Sequence, residues 1–224
     1  MNKVTRLDNG TIEIILTLPW SDIKQVYDKE VDEAVKNTQI PGFRKGQAPR
    51  SQVEAKLDKS HLYSHSVQHL LPDLYTAAVK SHHLKPILSP QIKITQGQEG
   101  HDWEFSAVIC EAPVVNFTLP AKLPKELPEK LDFLRKQAAI KIPDLLVEEE
   151  TNHRLTALAE NITKLGLTTD QYLSTKRLTP TDLKGQTSQE ARIDLETEYI
   201  LLHIQVKQKL PDRKSALDYL QKLV

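Results

Sequence analysis

One cysteine in 224 residues excludes an internal disulfide and a Cys-x-x-Cys metal or redox centre, and Cys110 lies in an apolar run where it serves as core filler. A lone thiol fits a reducing compartment. Aromatic residues make up only 5% of the chain against 27% charged, a balance typical of helix-rich proteins with modest cores, and seven glycines against thirteen prolines point to rigid connections. The formal charge is zero, with 30 basic and 30 acidic residues, so the body as a whole has no excess charge for nucleic acid. The opening Met-Asn-Lys-Val-Thr-Arg-Leu-Asp-Asn-Gly has no apolar leader, and no run reaches the ~20 apolar residues of a membrane span. These absences point to a cytoplasmic protein without membrane or DNA partners.

What is present is a local concentration of positive charge. From Ala34 to Val53 there is no acidic residue, while Lys36, Arg44, Lys45 and Arg50 all fall inside. The centre is Ile40-Pro41-Gly42-Phe43-Arg44-Lys45-Gly46-Gln47-Ala48-Pro49. Prolines fix φ at its two ends, and Gly42 and Gly46 allow the positive φ that tight turns need. An apolar ring beside a guanidinium and an ammonium on a stiff loop suits a large anionic partner offering carboxylates or phosphates and a shallow apolar pocket. A solvated turn between two helices would need the same glycines and prolines.

Around this loop the chain reads as an α+β protein. Ile12, Ile14, Leu16 and Leu18 alternate as one face of a strand over 11–18, after the Asn9-Gly10 turn signal. Pro19 closes it, and Ser21 is the predicted cap of a helix with Ile23, Val26, Tyr27, Val31, Ala34 and Val35 on its buried stripe. A short helix over 50–57 and a longer one over 60–81 follow, the latter expected to kink or break at Pro72. After the extended connector 84–90, residues 91–96 and 103–112 read as a hairpin across Gly97 and Gly100. Trp20 and Trp103 are expected to pack in the core.

Pro113, Pro120, Pro124 and Pro128 mark a change of character and predict a semi-rigid linker over 117–128 between domains at 1–116 and 129–224. The second domain reads as all α. Leu127, Leu131, Leu134 and Ala138 line one helix, and another runs from Asp144 to Gly166, its C-cap. Thr168 with Gln171 signals a short helix. Thr187 with Glu190 signals the start of the longest, over 188–210, and a last helix begins near Asp212. The longest helix is apolar over more of its circumference than one packing face requires.

No catalytic pattern emerges: the chain lacks a nucleotide-cradling lysine loop, a Gly-x-Ser-x-Gly elbow and a His-Glu-x-x-His pair, so no catalytic residue and no cofactor are assigned. His61, His65 and His69 recur every four residues on one helical face, but the sequence indicates no further ligand. They read as a partly exposed face, with no metal assigned. Glu148-Glu149-Glu150 reads as a solvated first turn favoured by the helix dipole.

Gly42-Phe43-Arg44-Lys45-Gly46 followed by Pro49 resembles the ribosome-docking signature of trigger factor, a bacterial chaperone of the tunnel exit. Leu84-Lys85-Pro86-Ile87 with Pro90 is similar to a stretch of the same family's ribosome-binding domain. Ile142 to Glu150, Gly166-Leu167, Gln171-Tyr172-Leu173, Ala191 and Ile200-Leu201-Leu202 with Ile204 are similar to its helical domain. The resemblance implies a ribosome-binding domain built on an antiparallel sheet, followed by a helical substrate-binding domain. It further implies docking by Gly42, Phe43, Arg44, Lys45, Gly46 and Pro49 on protein and RNA of the large ribosomal subunit. Nascent or unfolded polypeptides would be held without ATP, with Ile200, Leu201 and Ile204 as candidate client contacts. The family's prolyl isomerase domain usually lies between these halves, where this sequence leaves no room, so no enzymatic activity is carried over. The alternatives are a ribosome-independent holdase or an assembly chaperone acting as a homodimer, and a nucleic-acid-binding module, which the zero net charge disfavours.

Overall fold

A computed structural model describes residues 3–223; Met1 and Asn2, on which the reading of the N-terminus partly rests, lie outside it, as does Val224. The chain divides into two compact units: residues up to Arg6 with Ile12–Ile109, and Leu7–Thr11 with Cys110 onward.

The first unit carries a four-stranded sheet in the order β1-β2-β4-β3, from β1 (Lys3–Arg6), β2 (Thr11–Leu18), β3 (Gln91–Gln96) and β4 (Trp103–Cys110). β1 pairs antiparallel with β2, and β3 with β4. β1 has no sequence signal of its own: its four residues are mostly exposed, so no buried alternation marks it. In β2 the even-numbered apolar residues and in β4 Trp103, Phe105, Ala107 and Ile109 are buried. One core then takes in Ile23, Tyr27 and Val31 of α1 (Trp20–Asn37) and Tyr63, Val67 and Ala78 of α3 (Lys59–Ser81). Tyr63 is the hub of its aromatics, with ring centroids 4.7 Å from Tyr27, 5.7 Å from Trp20 and 5.9 Å from Trp103.

Two local expectations change. α1 starts at Trp20 with Pro19 at its N-cap and no side-chain cap; Ser21 already lies within the helix, where its hydroxyl bonds Asp22. α3 runs unbroken through Pro72, so the missing amide there does not end the helix.

The second unit holds α4 (Leu127–Ala138), α5 (Asp144–Lys164), α6 (Thr169–Lys176), α7 (Pro180–Gln208) and α8 (Arg213–Lys222). α7 begins at Pro180, eight residues before the start that the Thr187–Glu190 pair signals. Its cap is Thr179, whose hydroxyl accepts from the Asp182 amide while Asp182 accepts from the Thr179 amide, with Pro180 in the first turn. Thr187 instead donates to the Leu183 carbonyl at 2.8 Å inside the helix, the back-bonding open to a mid-helix threonine. Residues 117–126 form neither helix nor strand but pack against the unit: Phe117 is buried with Leu134, Ile200, Leu201, Ile204, Ala216 and Leu220, and Leu119 and Leu123 lie against that core. Two α7 side chains, His203 and Lys207, bond the Phe117 carbonyl at 3.2 and 2.9 Å. Among the described residues no helix is long and apolar enough to cross a membrane.

Candidate functional site: an exposed Phe-Arg-Lys tip

α1 ends at Asn37 and the five-residue α2 (Arg50–Glu54) begins directly after Pro49. Between them the backbone makes two successive tight turns. The Phe43 amide donates to the Ile40 carbonyl at 3.0 Å across Pro41-Gly42, and the Gln47 amide to the Arg44 carbonyl at 2.9 Å across Lys45-Gly46. Gly42 and Gly46 occupy the third position of each turn at φ of +90° and +77°, a region other residues enter only with strain. Gly46 is also closely packed: an added Cβ would lie 3.2 Å from the Lys36 carbonyl oxygen, a tight contact that the neighbouring backbone would have to yield to.

The base of the loop is anchored while its tip is open. Ile40, Ala48 and Val53 are buried in a small core completed by Ala34, Val35 and Leu57, which fixes both strands of the loop. Arg50 pairs with Asp28 and, at 2.9 Å, with Asp32, and the Tyr27 hydroxyl donates to Glu54 at 2.8 Å. Both contacts tie α2 to α1. Burial, followed by the Glu54 hydrogen bond, pushes the Tyr27 phenol far above the ordinary tyrosine range, so this brace stays protonated at neutral pH.

Arg50, basic in the sequence, is thereby committed internally. Arg44 and Lys45 are exposed and form no ion pair among the described residues, and Phe43 is 36% exposed between the turns. Gly42 and Pro49 are exposed and Gly46 half-buried. The loop therefore brings all six sequence-singled residues together, with three divergent side chains at the tip. Chemically the tip offers a planar guanidinium for bidentate pairing, a point charge and an aromatic face, with no nucleophile or general base beside them.

The three residues singled out in the helical half behave differently. Ile200, Leu201 and Ile204 are 0%, 1% and 1% exposed and belong to the unit's own core, Leu201 also lining a groove on the outer side of α7. At positions i, i+1 and i+4 the three share one face of α7, and that is the face packed into the unit's core. The apolar residues α7 does expose are Leu202 at 50%, Val206 at 70% and Ile193. Leu202 lines a groove of about 310 Å³ with Leu195, Tyr199, Gln205 and Arg213. Leu202 and Val206 are four residues apart on α7, a spacing that the continuous apolar run 199–202 masks.

Comparison with known proteins follows these two halves. The model of the bacterial trigger factor protein matches residues 1–129, and that of the bacterial trigger factor C-terminus matches residues 125–211. The two matches overlap, so no residues lie between them. Trigger factors from Staphylococcus aureus strains JH9 and Newman are each 29% identical over 151 residues, covering 67% of this chain and 33% of theirs. The chain spans about a third of the length of the curated relatives it matches. A solved structure described as "Promiscuous Substrate Recognition in Folding and Assembly Activities of the Trigger Factor Chaperone" aligns with a TM-score of 0.39 at 23% identity, over 71% of this chain and 35% of that one. With the first family model alone covering more than half of its residues, the chain belongs to the bacterial trigger factor family.

Proposed function

We propose that this protein is an ATP-independent cytoplasmic chaperone that docks on the large ribosomal subunit near the tunnel exit and shields apolar segments of nascent polypeptides. The observation that carries the reading is the tip itself: Phe43, Arg44 and Lys45 diverge into solvent from a loop whose base is rigidly held. An exposed aromatic and two uncompensated cations on a braced support are poor stabilisers of their own fold. They are well suited to an anionic partner surface of protein and RNA. In this reading residues 1–116 form the docking part, 117–128 the connection and 129–224 the client-holding part, with Gly42, Gly46 and Pro49 shaping the loop.

Docking is tested by co-sedimentation of the full chain with ribosomes. Pelleting at low salt that weakens as salt rises is the expected result, because the charges of Arg44 and Lys45 carry the contact. Failure to pellet at low salt overturns the docking.

For clients we propose the outer side of α7, Leu202 and Val206 with the adjoining groove that Leu201 helps to line, with the buried Ile200 and Ile204 behind it. Replacing Leu202 and Val206 together by serine is expected to reduce suppression of aggregation of an unfolded model protein by half or more while leaving ribosome pelleting intact. Undiminished suppression places the client surface elsewhere. The same apolar side would serve a ribosome-independent holdase or a dimeric assembly chaperone, which the loop variants below separate. No isomerase activity is assigned to the chain; proline-peptide isomerisation is expected at the uncatalysed rate, and turnover above it contradicts this reading.

A further inference from the structure

The histidine face of α3 gains a partner that the sequence does not reveal. Glu30 of α1 reaches His65, its Oε1 2.6 Å from Nδ1, and His69 stands one turn further along α3 with its ring centroid 4.6 Å from that of His65. One potential ligand atom from each of Glu30, His65 and His69 lies within 4.8 Å of the other two. We propose that these three residues bind a divalent transition-metal ion of the zinc class.

The chemistry of the donor set supports this. Two imidazoles spaced i, i+4 with one carboxylate are a three-ligand set that suits Zn²⁺ and leaves a fourth position for water. Tetrahedral coordination at about 2.0–2.1 Å needs donor separations near 3.4 Å. His65 and His69 are both exposed, so their imidazoles have room to turn toward a shared ion. The Glu30 side chain is only 17% exposed, and its one hydrogen-bond partner among the described residues is His65. A partly desolvated carboxylate facing an imidazole gains more from a dication than from a neutral ring. Binding exchanges the Glu30–His65 hydrogen bond for coordination by both groups and releases any proton between them to solvent. His61, whose ring is stacked 6.5 Å from that of His65, lies outside the set. An ion here would clip α1, the helix that leads into the docking loop, to α3.

The test is calorimetric titration of the untagged full chain with Zn²⁺ alone. One ion per chain is expected, with affinity reduced at least about tenfold in Glu30→Gln and in His69→Ala, and unchanged when His82 and His83 are both replaced by alanine. Co²⁺ should give the intense visible absorption of tetrahedral coordination in the wild type and lose it in His69→Ala. No binding, or equal affinity in the wild type and both site variants, overturns the proposal. If Glu30→Gln lowers the melting point, His69→Ala, on an exposed position, carries the test alone.

Discussion

Replacing Phe43, Arg44 and Lys45 together by alanine is expected to abolish pelleting with ribosomes, lowering affinity at least about a hundredfold if each of the three contributes roughly 1–2 kcal/mol as a hot-spot contact. The three side chains are exposed, none belongs to the small core of Ile40, Ala48 and Val53, and none forms an ion pair or hydrogen bond through its side chain among the described residues. The triple variant should therefore still fold, with a stability loss of about 1–2 kcal/mol at most, chiefly from the partly covered Phe43 ring. Loss of binding would then report the contact itself. Arg44→Lys, which keeps the charge but removes the planar fork, should fall between wild type and triple variant. Undiminished pelleting of the triple variant would reject the docking role of this loop. If aggregation suppression also survived, the ribosome-independent holdase would be the better reading.

The second large effect concerns stability of the helical unit. Lys130 Nζ, on α4, donates to the carbonyls of Leu220, Gln221 and Leu223 at 3.0, 3.2 and 2.5 Å, and the residue is 1% exposed. These carbonyls close α8, where the last helical acceptors lack intrahelical donors and the helix dipole favours a cation. The ammonium is thus a cap delivered from another helix. Its burial costs desolvation energy, but Lys130→Met relieves that cost while stranding three acceptors that no side-chain change can remove. The hydrogen bonds should outweigh the desolvation, and we expect a net loss of about 2–3 kcal/mol. Read by hydrogen exchange, protection of the α8 amides should drop by roughly 30- to 150-fold, since each 1.36 kcal/mol is tenfold. Lys136→Met is the control: that lysine is exposed and pairs with Asp132 at 2.7 Å, an interaction worth little in water. Equal protection in wild type and Lys130→Met would show that water serves those carbonyls as well.

Lys130 also shows where sequence reading stops. In the chain it is one of 30 basic residues, two positions after Pro128 of the proline-rich stretch, and its partners lie 90 or more residues away. Nothing local distinguishes it from Lys136. Glu30 is similar: it reads as one more solvent-facing acid of α1 until α3 packs beside it and supplies two imidazoles. Arg50 moved the other way, from a member of the basic loop to an internal brace on Asp28 and Asp32.

By itself the sequence determined the features whose causes are local. Gly42 and Gly46 between prolines dictated a tight turning loop, alternation dictated β2, and three-four spacing dictated the buried stripe of α1. Each depends on backbone φ or side-chain periodicity within a few residues. Only the tertiary structure decided which side of α7 was inside. Packing on several sides buried Ile200, Leu201 and Ile204 and left Leu202 and Val206 out, because a helix apolar around most of its circumference carries no internal mark of which face its neighbours will cover.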